Sequence, residues 1–159
     1  MSLRTLSLSI LTALTLSVSG FSAHAGMIMV NDPYVRSTSP ASPTGAAFMM
    51  LMNHSENDDR LIDARSDIAA KVEIHTHIAD GNGVMRMTRI EGGIELPAGA
   101  MHMLQRGGDH IMFMGLKQDL VQGEMVSVIL VFENAGEVTV DLPVDRERAP
   151  GQMHKHGTN

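Results

Sequence analysis

The clearest alternation of apolar and polar positions is Val72-Glu73-Ile74-His75-Thr76-His77, which sends Val72, Ile74 and Thr76 to one face of a strand and Glu73, His75 and His77 to the other. It runs into Asp80-Gly81-Asn82-Gly83, a hairpin sequence, and the chain returns through Val84-Met85-Arg86-Met87-Thr88, so these two segments are predicted to pair. Gly45 to Met52 is a continuous apolar run, whose length suits a strand buried on both faces rather than a helix. Further strands are predicted over 32–36, 61–65, 94–96, 101–105, 110–114, 125–132 and 137–142, separated by Pro, Gly, Asn and Ser. No segment carries a defensible helical period. Seven or more short strands, with turn signals about every 8–12 residues, predict an all-β, antiparallel β-sandwich.

The two ends differ from this pattern. Residues 1–25 read as a secretory signal: Arg4 precedes an apolar run over 6–18, and Ala23-His24-Ala25 supplies small residues for cleavage. The run is shorter than the roughly 20 residues a membrane span needs. One sandwich domain is therefore expected over 26–144, exported and without a membrane span once the signal is removed. Residues 145–159 carry Pro, Gly and charge but little to bury, so a flexible tail is expected there. Met27 and Met29 are expected to be incidental, unstructured residues beside the cleavage point.

Composition narrows the chemistry. The formal net charge is −6, and loss of the signal makes it one unit more negative, which disfavours nucleic acid and anionic lipid as partners. Trp is absent and aromatic residues are few, so a stacking platform is not expected. The chain contains no Cys, which removes disulfides, thiolate metal sites and thiol nucleophiles. It does contain 14 Met, whose thioethers are soft ligands suited to Cu(I) where no thiolate is on offer.

Three His/Met groupings stand out: His75-Thr76-His77, Met85-Arg86-Met87 and His110-Ile111-Met112-Phe113-Met114. Each repeats at i,i+2, so each strand presents its imidazole or thioether groups on a single face, and three neighbouring strands could bring a mixed N/S ligand set together. Zn, Ca and Mg prefer imidazole, thiolate or oxygen donors, whereas a set of imidazoles and thioethers suits Cu(I). The choice between Met85 and Met87 stays open at this level. Carboxylates such as Asp58, Asp59, Asp67 and Asp109 form no acid/base pair with a local reason to converge, so no enzymatic activity is expected.

The sequence resembles the periplasmic copper chaperones called PCu(A)C. The similarity is densest in Val72-Glu-Ile-His-Thr-His77, Val84-Met-Arg-Met-Thr88, Glu91-Gly-Gly-Ile-Glu-Leu-Pro97 and His110-Ile-Met-Phe-Met-Gly-Leu-Lys117, and it continues through 132–140. The family's metal motif is written His-x10-Met-x21-His-x-Met. Here 11 residues separate His75 from Met87 and 22 separate Met87 from His110, differences that the 80–83 hairpin and the loop before His110 could absorb. The resemblance implies a cupredoxin-like β-sandwich in the periplasm that binds one Cu(I) through His75, Met87, His110 and Met112. It also implies delivery to a copper-accepting domain, such as the CuA-bearing subunit of cytochrome c oxidase or an assembly factor. Copper storage or resistance, and a metal-free binding sandwich, are the alternatives.

His77 and Met114 share the ligand faces and are expected to orient ligands or limit water access. Met49, Met50 and Met52 are expected in the core, His54 in a turn, and Met101-His102-Met103 on an edge strand. Met153-His154-Lys155-His156 is a short His/Met tract and a candidate auxiliary Cu(II) site.

Overall fold

The structure is a computed structural model and describes residues 28–149. The expected signal and the Met153-His154-Lys155-His156 tract lie outside those residues. In chain order the strands are β1 (Ile28–Arg36), β2 (Thr44–Asn53), β3 (Asp59–Arg65), β4 (Ala69–Ala79), β5 (Met85–Arg89), β6 (Ile94–Leu96), β7 (Met101–Leu104), β8 (His110–Leu116), β9 (Met125–Phe132) and β10 (Gly136–Pro143). They form two antiparallel sheets packed face to face, the sandwich predicted from the strand pattern and, in its cupredoxin-like form, implied by the resemblance.

The first sheet runs β1-β2-β8-β4-β5, and β7 also pairs with β2; the second runs β10-β9-β3-β6. β7 and β8 occupy one lane beside β2, opposite residues 49–52 and 44–47 respectively, and the loop 105–109 bulges out between them. The core lies between the sheets, where Ala47, Met49, Leu51, Ile74, Ile111 and Phe113 meet Leu61, Val128, Leu130, Phe132 and Leu142, all nearly inaccessible. Gly93, at φ 73°, turns the chain into β6 so tightly that a Cβ there would collide with the Leu61 carbonyl oxygen.

Three expectations need correction. β1 begins at Ile28 rather than at Asp32, so Met29 lies in a strand; a bulge between Asn31 and Tyr34, with Asp32 at φ 49°, takes up the Asp-Pro step and lets pairing continue on both sides. β2 is not equally buried on its two faces. Alternation sends Met49 into the core but turns Met50 and Met52 to the outer face, where they are half-buried. Third, residues 145–149 are packed rather than free. The Asp145 amide donates to the Val35 carbonyl, and the Arg148 side chain lies 4.1 Å over the Tyr34 ring and pairs with Asp32. The Arg148 carbonyl accepts hydrogen bonds from Arg36 and Arg106. A buried cation needs a carboxylate and an aromatic face, and the β1 bulge supplies both.

Candidate metal centre

His75 on β4 and His110 on β8 are directly opposite residues. Their rings stand edge to face with centroids 6.0 Å apart, and the His77 ring lies 5.1 Å from that of His110. In the same register Met112 faces Glu73, while across β4 and β5 Met87 faces His77. Opposed residues share a face. His75, His77, Glu73, His110, Met112 and Met87 therefore all project from the outer face of the first sheet, while Ile74, Ile111 and Phe113 between them project into the core.

The four residues singled out from the sequence are thus neighbours, although not in the simplest pairing. Arg89, not Met87, stands opposite His75, so Met87 lies diagonal to His75 across the two strands. Met85 faces Ala79, two pairs further toward the hairpin tip. Of the two methionines, Met87 lies nearer the imidazoles. Met114 lies two pairs beyond Met112, between Lys71 and Thr44.

Burial grades across the site. His110 is 1% exposed, covered partly by Phe48, whose ring lies 6.1 Å away. Met112 is half-buried and Met87 is 46% exposed. The cluster is open to solvent on its β5 side and closed beneath His110.

Hydrogen bonds decide which ring nitrogens are available. The His110 Nδ1–H donates to the Gly108 carbonyl at 2.9 Å, leaving Nε2 with its lone pair. His75 is held the other way round: Nε2–H donates to the Glu73 carboxylate at 2.8 Å, and Nδ1 is buried without a hydrogen-bond partner. An orphaned ring nitrogen beside another imidazole suits a ligand waiting for an ion, since buried polar atoms are otherwise paired. Each imidazole has the outer hydrogen bond that orients metal-binding histidines.

Glu73 is the residue that sequence reasoning left unassigned. Its carboxylate is nearly buried on the His face, bonded to the Lys71 ammonium at 2.6 Å as well as to His75, with the Arg89 guanidinium 3.5 Å away. Hydrogen bonds from Lys71 and then His75 hold its pKa below the ordinary carboxylate value, against the opposing effect of burial. The available signal was its place two residues before His75, on the same face of an alternating strand. The His110 pKa is also lowered, first by burial, with the charges of His77 and His75 adding to it and the Gly108 hydrogen bond opposing. The shift favours the neutral form of His110, the one that donates a lone pair.

Among the described residues no group of three or more His, Asp or Glu side chains is arranged to hold a metal ion by itself. A fuller ligand set on this face has to draw on thioethers, and those select soft ions.

Residues 28–144 match the family model described as "Putative lipoprotein LpqE-like". Solved structures similar to the chain include "Copper-bound PCuAC domain from PmoF2", with a TM-score of 0.62 and 26% identity over 76% of this chain and 94% of that one. The chain belongs to the LpqE-like, or PCu(A)C, family. Another similar structure is that of apo-DR1885 from Deinococcus radiodurans, 28% identical over 91% of this chain and 96% of that one, with a TM-score of 0.59. Its CuI form has a TM-score of 0.58 and 28% identity, covering 77% and 82% of the two chains. A curated relative, "Putative lipoprotein Lxx21020" of Leifsonia xyli subsp. xyli, is 32% identical over 117 residues, or 74% of this chain and 69% of the relative.

Proposed function

We propose that this PCu(A)C protein binds one Cu(I) on the outer face of its first sheet, through His75 Nδ1, His110 Nε2 and the sulfurs of Met112 and Met87, and releases it to an acceptor. The observation that carries the reading is the direct His75–His110 pair, with one ring nitrogen free on each side and thioethers on the same face. The copper-bound PmoF2 domain and CuI-DR1885, both similar to this chain, support the choice of ion and of its oxidation state.

The ion is cargo. A neutral His₂Met₂ set does not neutralise the cation, and its most exposed member, Met87, is the group a partner's ligand can displace first. The recipient is a copper-accepting domain in the periplasm, with the CuA-bearing subunit of cytochrome c oxidase or an assembly factor as the first to try. Met153-His154-Lys155-His156 is an auxiliary Cu(II) segment, supported by its composition.

Anaerobic Cu(I) titration with X-ray absorption on the protein lacking 151–159 tests the core site. The first equivalent is expected in a mixed N/S environment. Met112→Leu is expected to weaken it about tenfold or more, at least the cost of disturbing an outer partner, whereas Met49→Leu in the core leaves affinity unchanged. A first equivalent with oxygen and nitrogen ligands alone would overturn the assignment. Mixing the loaded protein with an apo CuA domain separates delivery from storage: retained copper favours storage.

A further inference from the structure

The outer face of the first sheet carries a second thioether group, away from the imidazoles. Met52 on β2 is directly opposite Met29 on β1 and Met101 on β7, so three methionines form one row across three adjacent strands. In the next row Met50 faces Met103, and Asn31 faces Met50. The row after that holds Tyr34, Phe48 and, in the β8 lane, His110. Among the described residues every methionine except Met49 and Met125 lies on this one face.

From this arrangement we infer a second soft-metal site, formed by the sulfurs of Met29, Met52 and Met101, that takes Cu(I) or Ag(I) in three-coordinate geometry. Adjacent strands lie about 4.8 Å apart, so the outer two methionines flank Met52 within reach of one ion above it, given the length and flexibility of the side chain. Met29 and Met101 are 49% and 56% exposed, which leaves their sulfurs free to swing toward that point. Asn31 Nδ2–H donates to Met52 Sδ at 3.4 Å, holding the central sulfur on the outer side of the sheet with a lone pair to spare.

Residue type separates this from an ordinary apolar patch. Half-exposed strand positions favour Val, Ile and Thr, which pack well on a pleated surface, and a docking face has no need for the same side chain at every paired position. Here each directly opposed position of the row is methionine, and the shared chemical property is the thioether. The row lies four residues along β2 from Phe48, about 13 Å at strand rise, far enough for an ion here and another at His75 and His110 to be held independently.

Ag(I) titration of the chain, read by the ¹³C-methyl signals of its methionines, tests the inference without redox chemistry. Met125 is the internal control: it is 58% exposed and faces Pro143 rather than another methionine. In the wild type the methyls of Met29, Met52 and Met101 are expected to move together, at lower Ag(I) than Met125. M29L/M52L/M101L, which keeps side-chain volume, should bind one Ag(I) fewer and leave the Met112 response intact. H75A/M112L should lose the Met87 response and keep that of the row, so failure of the core site and failure of this one are distinguishable. Row methyls that move no earlier than Met125, or an unchanged Ag(I) stoichiometry in the triple variant, would overturn the site and leave the row as an apolar contact surface.

Discussion

Glu73 carries more of this protein's behaviour than its absence from any metal motif suggests. Three cationic or hydrogen-donating groups, Lys71, His75 and Arg89, converge on one nearly buried carboxylate, which fixes the His75 ring with Nδ1 turned away from it. Glu73→Gln keeps the shape but can offer His75 an N–H where it needs an acceptor. Cu(I) affinity, read by competition with a chromophoric chelator, should fall about 10–100-fold with the fold retained, the usual cost of removing an outer partner of a metal ligand. Glu73 and His110 also contribute to the acid response of the metal-free protein. The folded pKa of His110 lies below its unfolded value of about 6.5, so its contribution to stability is complete above that pH and is lost as pH falls through the folded value. Glu73 behaves likewise in a lower window: its contribution is present above about 4.3 and disappears as pH drops through its depressed folded value. Urea midpoints measured against pH should therefore decline in two steps, and His110→Gln should flatten only the upper one.

At the level of elements, the site is built from strands of unequal security. β8 is central, paired on both sides and largely buried, whereas β5 is an edge strand whose every residue is exposed and whose pairing is to β4 alone. Met87 is thus delivered by the least-protected strand of the sheet, and His110 by one of the best protected. Local opening free energies range from about zero at such edges to the global value in the core. Amide hydrogen exchange should be fastest in β5, and Cu(I) should slow it there more than in β8, because Met87 would tie the edge strand to β4 and β8 through the ion. Equal protection of β5 with and without copper would argue against Met87 as a ligand. The hairpin before β5 was readable from Asp80-Gly81-Asn82-Gly83, and Gly83 takes φ 79°, a value glycine reaches without strain.

Across the whole molecule, residues 145–149 join the end of the second sheet to the bulged strand of the first. Val144 bridges Val35, and Arg148 is buried against Tyr34 and Asp32. Tyr34 then contacts Phe48, which contacts His110, so the clamp and the candidate copper site share one run of rings. Arg148→Met should destabilise the protein by up to about 3–5 kcal/mol, because it removes one partner of a largely buried ion pair and the cation packed over Tyr34. The loss should appear in the urea midpoint, with Cu(I) affinity changed far less than by Glu73→Gln.

The local order of side chains was sufficient to predict most of the strands, the hairpin and the placing of each His/Met grouping on one strand face, because period-two alternation assigns each residue to a face before any strand has a partner; the choice of His75, His110 and Met112 within those groupings came from the family resemblance. It could not say which residue stands opposite which. That depended on register across strands distant in sequence, and register set Met87 nearer the imidazoles than Met85, brought Glu73 beside Met112, and aligned Met29, Met52 and Met101. An apolar run such as that of β2 reads the same whether its second face is covered or open, so the outward turn of Met50 and Met52 became visible only with the sheet assembled. The burial of Arg148 likewise needed the β1 bulge, a tertiary feature that brings a carboxylate and an aromatic ring from more than 100 residues away to a charge that otherwise reads as solvated tail.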